Sequence, residues 1–246
     1  MAAKTTKKIT RVEEGDTSSS SSSQDNRTFI PNDESRAKAK NLRIFAIISW
    51  IFAIGFEAGA IILLGKDPVN TTWLIVLIVA ALIFAVIGSQ LWKKANRLNP
   101  ASEKESVKFF IQNQLGAIIS VIAFLPLVIL IFTNKNLSGK QKGLVGAIAV
   151  VALVIAGIAG IDFNPPSQEK YLEQIEQVES LTDGYNYVYW TKSGTKYHIY
   201  SDCYHINTDR TDEIFEGTVQ QARELKNITE LCATCEQRAL DEKDIE

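Results

Sequence analysis

Residues 72–92 read TWLIVLIVAALIFAVIGSQLW, without one charged side chain and without a polar stripe at helical spacing. A helix in a soluble core ordinarily keeps such a stripe for the solvent, so a run lacking one belongs where no solvent is met. About 20 apolar residues in helical form cross a hydrocarbon layer of about 30 Å. Three further runs have the needed length: IFAIISWIFAIGFEAGAIILL (44–64), FFIQNQLGAIISVIAFLPLVILIF (109–132) and GLVGAIAVVALVIAGIAGI (143–161). Together they predict an all-α four-helix transmembrane bundle within residues 43–162, in a multi-pass protein of the cell membrane whose first partner is the lipid bilayer. Whole-chain averages conceal this: a net charge of −2 over 246 residues and a mean hydropathy of +0.02 would describe an ordinary soluble domain.

Ahead of the bundle, residues 1–42 form a polar leader. TSSSSSSQDN (17–26) offers too little apolar surface to offset chain entropy, and the leader is expected to be disordered. No cleavable signal peptide precedes Ile44, so the first span is expected to act as its own anchor. Arg36, Lys38, Lys40 and Arg43 precede that span, and Lys93, Lys94, Arg97, Lys104 and Lys108 follow the second. The intervening loops hold Lys66, and then Lys135, Lys140 and Lys142. Basic residues stay on the cytoplasmic side, which predicts that both the N- and the C-terminus are cytoplasmic.

Within the spans Glu57 is the one formally charged residue well inside hydrocarbon, and such a residue is costly enough to be a functional candidate. Gln112, Asn113 and Gln114 of the third span are the other intramembrane polar groups and the expected hydrogen-bond partners of Glu57. Gly55 and Gly59 form a small-xxx-small pair suited to close helix packing, as do the glycines and alanines of span four, within one bundle or between copies in a homo-oligomer. Pro126 is read as a kink.

Residues 163–184 follow as a helical linker, with Pro165 and Pro166 ending the fourth span, Ser167 as a cap and Gly184 closing the helix. Residues 185–246 hold both histidines and all three cysteines of the chain. YVYWTKSGTKYHIY (187–200) has the alternation of a two-stranded hairpin around KSGT. EGTVQQARELK (216–226) places Thr218 three residues before Gln221, a capping box. LCATC (231–235) sets a Cys-x-x-Cys pair at the start of a last helix. A small α+β module results, too small for apolar burial alone to hold it together.

Metal would supply the missing stability. Cys232 and Cys235 have the spacing that lets two thiolates reach one ion, Cys203 lies upstream, and His198 is the first choice for a fourth ligand with His205 as the alternative. Zn²⁺ on such a set would contribute on the order of 10–16 kcal/mol. Two rivals share these residues: a Cys-x-x-Cys redox pair, and Cys203 as a nucleophile with a histidine base. The first belongs in a βαβ setting that the tail lacks, and an odd cysteine count on a reducing side argues against disulfides.

The run YWTKSGTKYHIYSDCYHI…GTVQQARELKNITELCATCEQR resembles the small metal-binding modules related to the N-terminal zinc domain of the Ada DNA-repair protein, which stand at the ends of many bacterial proteins. Tyr197-His198, Cys203, Gly217-Thr218 and Cys232/Cys235 carry the likeness, which covers roughly residues 187–238. The repair domain uses four cysteines, one of them a methyl acceptor, whereas this chain has three and a histidine. From Asp183 to Glu246 there are seven Lys/Arg against thirteen Asp/Glu, so no nucleic acid is expected as a partner. The expected function is a non-enzymatic scaffold, adaptor or sensor whose acidic module binds a protein partner. The alternative is a small transporter or channel component that uses Glu57, with the module as its regulator.

Overall fold

A computed structural model describes residues 7–12 and 29–243. The serine run of the leader lies outside the described residues. Seven helices dominate among the described residues, and the chain divides into two compact units. One is Ser35–Pro166. The other joins the described residues up to Glu34 with those from Ser167 onward.

The first unit is built from α1 (Asp33–Leu64), α2 (Thr71–Leu98), α3 (Ser106–Thr133) and α4 (Gly139–Gly160), all four long and apolar enough to cross a membrane. Asn70 caps α2 by accepting the Trp73 N–H at 3.1 Å. Ser138 and Gln141 form a reciprocal capping box on α4. α3 runs through Pro126 without ending.

Side chains are distributed the opposite way from a soluble bundle. Ala53, Ala60, Ala81, Ala85, Ala149, Ala152 and Ala156 are buried between the helices, while Ile51, Ile62 and Trp73 on the outside are 63%, 68% and 61% exposed. Small residues bring backbones together. At Gly160 an added Cβ would meet Ala117 N at 2.4 Å, which fixes how near α4 stands to α3. Hydroxyls then bond across the seams: Ser49 donates to Phe84 O at 2.7 Å and Ser120 to Ala156 O at 3.0 Å.

The polar leader ends earlier than expected, because α1 begins at Asp33, not at Ile44. DESRAKAK consists of helix-compatible residues with Asp33 and Glu34 in the first turn, where the helix dipole favours acids, so the apolar helix simply continues outward. A second departure is β1 (Lys8–Arg11), a strand inside the stretch expected to be featureless.

β1 belongs to the second unit. It pairs in parallel with β4 (Glu213–Thr218), which pairs antiparallel with β2 (Tyr187–Thr191), giving the order β1-β4-β2. Charge explains the docking of so polar a strand: Lys8 meets Glu213 at 3.2 Å and Arg11 meets Glu216 at 2.9 Å. Across β2/β4, Trp190 stacks on Phe215. Gly217 is required there, since a Cβ would lie 2.8 Å from Trp190.

The expected hairpin at 187–200 shrinks to one bridge between Tyr189 and His198, on the edge of β2 that faces away from β4. β3 (Lys196–Tyr197) pairs in parallel with β5 (Glu230–Leu231). The helix expected in the linker is present as α5 (Gln168–Leu181), capped by Ser167, whose hydroxyl accepts the Lys170 N–H at 3.1 Å. α5 packs into the second unit: Val178 joins Val188, Trp190 and Ala222 in its core, and Gln174 donates to Thr229 O at 2.6 Å. α6 (Val219–Lys226) carries the expected Thr218/Gln221 capping box, and α7 (Ala233–Lys243) follows Cys232.

Candidate metal centre

Pairing of β3 with β5 assembles the centre. Tyr197 stands opposite Leu231, so the next residues along, His198 and Cys232, arrive side by side. Two backbone bonds with Tyr189, at 2.7 and 2.8 Å, hold His198 in place, and Cys232 N–H donates to Tyr197 O at 2.9 Å. The Cys232 carbonyl accepts the Glu236 N–H at 3.0 Å, the first turn of α7, and that turn brings Cys235 to the same point. Cys203 enters from a turn in which its carbonyl accepts from Ile206 and Asn207.

The four ligand atoms lie within 4.8 Å of one another and all four residues are buried. His198 Nδ1 is 3.6 Å from Cys235 Sγ. A tetrahedron with metal–sulfur arms of about 2.3 Å and a metal–nitrogen arm of about 2.0 Å has edges of roughly 3.5–3.8 Å. The His198–Cys235 separation falls in that range, and the four residues could hold a metal. His205 is not in the group: it is exposed, its ring rests 4.0 Å from that of Tyr204, and Nε2 is 3.2 Å from Thr234 Oγ1.

Electrostatics favour a cation here. Burial, followed by the adjoining Cys203 and Cys232 sulfurs, pushes the Cys235 thiol up to about 12. Burial also raises Cys203. At Cys232 burial acts upward too, but the N–H groups of Cys235 and Thr234 outweigh it and leave that thiol below its usual value. His198 is pushed down to about 4 by burial and by His205, which keeps one ring nitrogen's lone pair available. Three sulfurs this close cannot all ionise without a compensating positive charge.

One contributor is missing from the sequence reading. Arg238 of α7 lies 3.9 Å over the Tyr200 ring and donates to Asp202 at 3.0 Å and Glu242 at 2.9 Å, while Tyr200 OH donates to Glu242 at 2.6 Å. It clamps the segment leading to Cys203 against the helix that carries Cys235. The one local signal is the four-residue spacing of Arg238 and Glu242.

The intramembrane candidates do not converge on one another. Glu57 is buried in the first unit. Gln112 donates to Asn99 O at 3.2 Å, Asn113 to Phe109 O at 3.0 Å and Gln114 to Asp162 O at 3.0 Å. Arg43, which bonds Asn99 at 3.0 Å, marks the level of these amides on α1. Glu57 lies fourteen residues further along, about 21 Å at helical rise, so the expected pairing with Glu57 is not made. Among the described residues Gly55 has nothing within 4 Å of an added Cβ and Gly59 touches only Leu77, so neither mediates close packing among them.

Comparison with protein-family models, curated proteins and solved structures returns no match.

Proposed function

We propose that the chain is an integral membrane protein with both termini in the cytoplasm, whose zinc-stabilised module recruits a protein partner as a scaffold, adaptor or sensor. The Cys₃His cluster carries this reading. Four buried protein ligands leave no coordination position for a substrate or an activated water, the arrangement of a structural site and not a catalytic one. Thiolates and imidazole together favour zinc over harder cations. The likeness to Ada-type zinc modules points the same way, and the module's net acidity sets it apart from the DNA chemistry of that family.

The bilayer reading is supported by the apolar exterior of the bundle. The pairing of β1 with β4 supports this reading, because segments before and after the four helices pair with each other, in keeping with an even number of crossings. The basic residues flanking the spans favour the cytoplasmic side. Elemental analysis of the full chain in detergent tests the metal: about one zinc per chain is expected, and a chain that holds no zinc even after zinc is added overturns the reading. Partner recruitment is tested by deleting 185–246, after which proteins that co-purify with the full chain are expected to be lost.

A transporter or channel component using Glu57 is the second reading, favoured by the burial of that carboxylate in the bundle. Glu57→Gln with unchanged ion or proton flux in reconstituted vesicles removes it.

A further inference from the structure

A cavity of about 850 Å³ opens in the bundle where α1, α2 and the start of α3 meet, and its walls divide by chemistry. Val107, Ile111 and Leu115 recur every four residues along α3 and form one apolar stripe about 12 Å long. Val107 and Ile111 are 71% and 47% exposed. Arg43, Lys104 and Lys108 line the same cavity, against a single acid, Glu105, which is ion-paired with Lys108 at 2.8 Å. Net positive charge therefore sits beside an apolar wall.

Arg43 is set in position before any ligand arrives. Its Nη2 donates to Asn99 O at 3.0 Å and to Asn96 Oδ1 at 3.4 Å, and its guanidinium lies 5.6 Å from the centroid of the Trp92 ring. Its Nε is buried with no hydrogen-bond partner among the described residues, a donor whose desolvation they leave uncompensated.

We propose that this groove binds an anionic phospholipid, with an acyl chain along Val107, Ile111 and Leu115 and the phosphate-bearing headgroup on Arg43, Lys104 and Lys108. A soluble phosphate would use the cations and leave the apolar stripe idle. A zwitterionic lipid would use the stripe and cancel much of the attraction to the cations. An anionic lipid satisfies both, and the flanking lysines and arginines of this end place it at the leaflet where the positive-inside rule sets them. The inference rests on the bilayer reading of the bundle and is independent of the metal module.

The full chain, purified in a neutral detergent, is titrated with phosphatidylglycerol or phosphatidylcholine of identical acyl chains, and bound lipid is counted by native mass spectrometry. Phosphatidylglycerol is expected to be retained about tenfold more strongly. Lys104→Gln with Lys108→Gln abolishes that preference, and Arg43→Gln does the same. Both lysines are exposed loop or first-turn residues, so their replacement leaves the bundle folded. Lys140→Gln with Lys142→Gln, near the start of α4, removes equal charge and leaves the preference intact. Ile111→Trp fills the groove and weakens both lipids. Equal retention of the two lipids, equal losses from the two lysine pairs, or full displacement by inorganic phosphate overturns the site. A chain that stays monodisperse without detergent overturns the bilayer reading itself, whereas equal lipid retention by a detergent-dependent chain removes only the site.

Discussion

Replacing His198 and His205 in turn separates two residues that stand seven positions apart and do different things. His198→Ala removes a buried imidazole whose Nδ1 lies 3.6 Å from Cys235 Sγ, leaving three sulfurs for one ion. If the whole site is worth on the order of 10–16 kcal/mol, one ligand in four accounts for about 3–4 kcal/mol. Zinc affinity should then fall by about 10²–10³-fold. His205→Ala loses a ring contact with Tyr204 at 4.0 Å and a hydrogen bond to Thr234 on the surface. That change is worth about 1 kcal/mol or less and leaves the metal in place. Titration of the full chain in detergent against a chromophoric chelator measures both affinities. Cobalt substituted for zinc reports thiolate ligation independently, through its charge-transfer absorption. A His205→Ala chain that loses metal while His198→Ala keeps it refutes the geometry, and wild-type affinity in both variants refutes the histidine ligand altogether.

Three other outcomes follow from the same structure. Gly160→Val should lower the thermal midpoint of the detergent-solubilised bundle, at a cost of about 1–3 kcal/mol, because its Cβ would meet unyielding α3 backbone at 2.4 Å; an unchanged midpoint contradicts the packing. Deleting residues 1–12 removes β1 and its ion pairs, so amide exchange at Glu213–Glu216 should speed up by about tenfold while zinc content stays the same; unaltered exchange would mean that β1 does not protect β4. In chelator-treated protein, His198 titrates near 4 when folded and near 6.5 when unfolded, so the unfolded chain takes up the proton first. Stability is complete above about pH 6.5 and drops by about 3 kcal/mol as pH falls toward 4. Equal melting midpoints for the module at pH 7 and pH 4.5 would contradict this.

What was legible in the sequence was whatever depends on neighbours along the chain. The four long apolar helices follow from runs of twenty or so residues, the α6 cap from Thr218 and Gln221, and the gathering of Cys203, Cys232 and Cys235 with a histidine from their clustering near one end. What escaped depends on partners far away. KITR at 8–11 is too short and too polar to announce a strand, and it becomes one only because β4 offers an open edge with Glu213 and Glu216 on it. β4 itself was hidden behind the helix signal that follows it. His198, the first choice over His205 from its place at the end of the hairpin segment, is the histidine in the cluster, but the register of β3 with β5 that brings it beside Cys232 has no local pattern. Glu57 and the α3 amides sit on apolar helices of similar length, and nothing in either run states that they lie at different depths.

The strand pair that joins the two ends of the chain also sets an order of events during synthesis. Arg11 and Glu216 are separated by 205 positions, so the earliest-made strand waits, unpaired, until the ribosome has delivered every helix between them. A product cut short before residue 213 keeps that strand without its edge, and its last-made cysteines are absent as well. Completion of the three-stranded sheet thus requires every residue from Lys8 through Thr218 to have been made, and it precedes the arrival of Cys232 and Cys235.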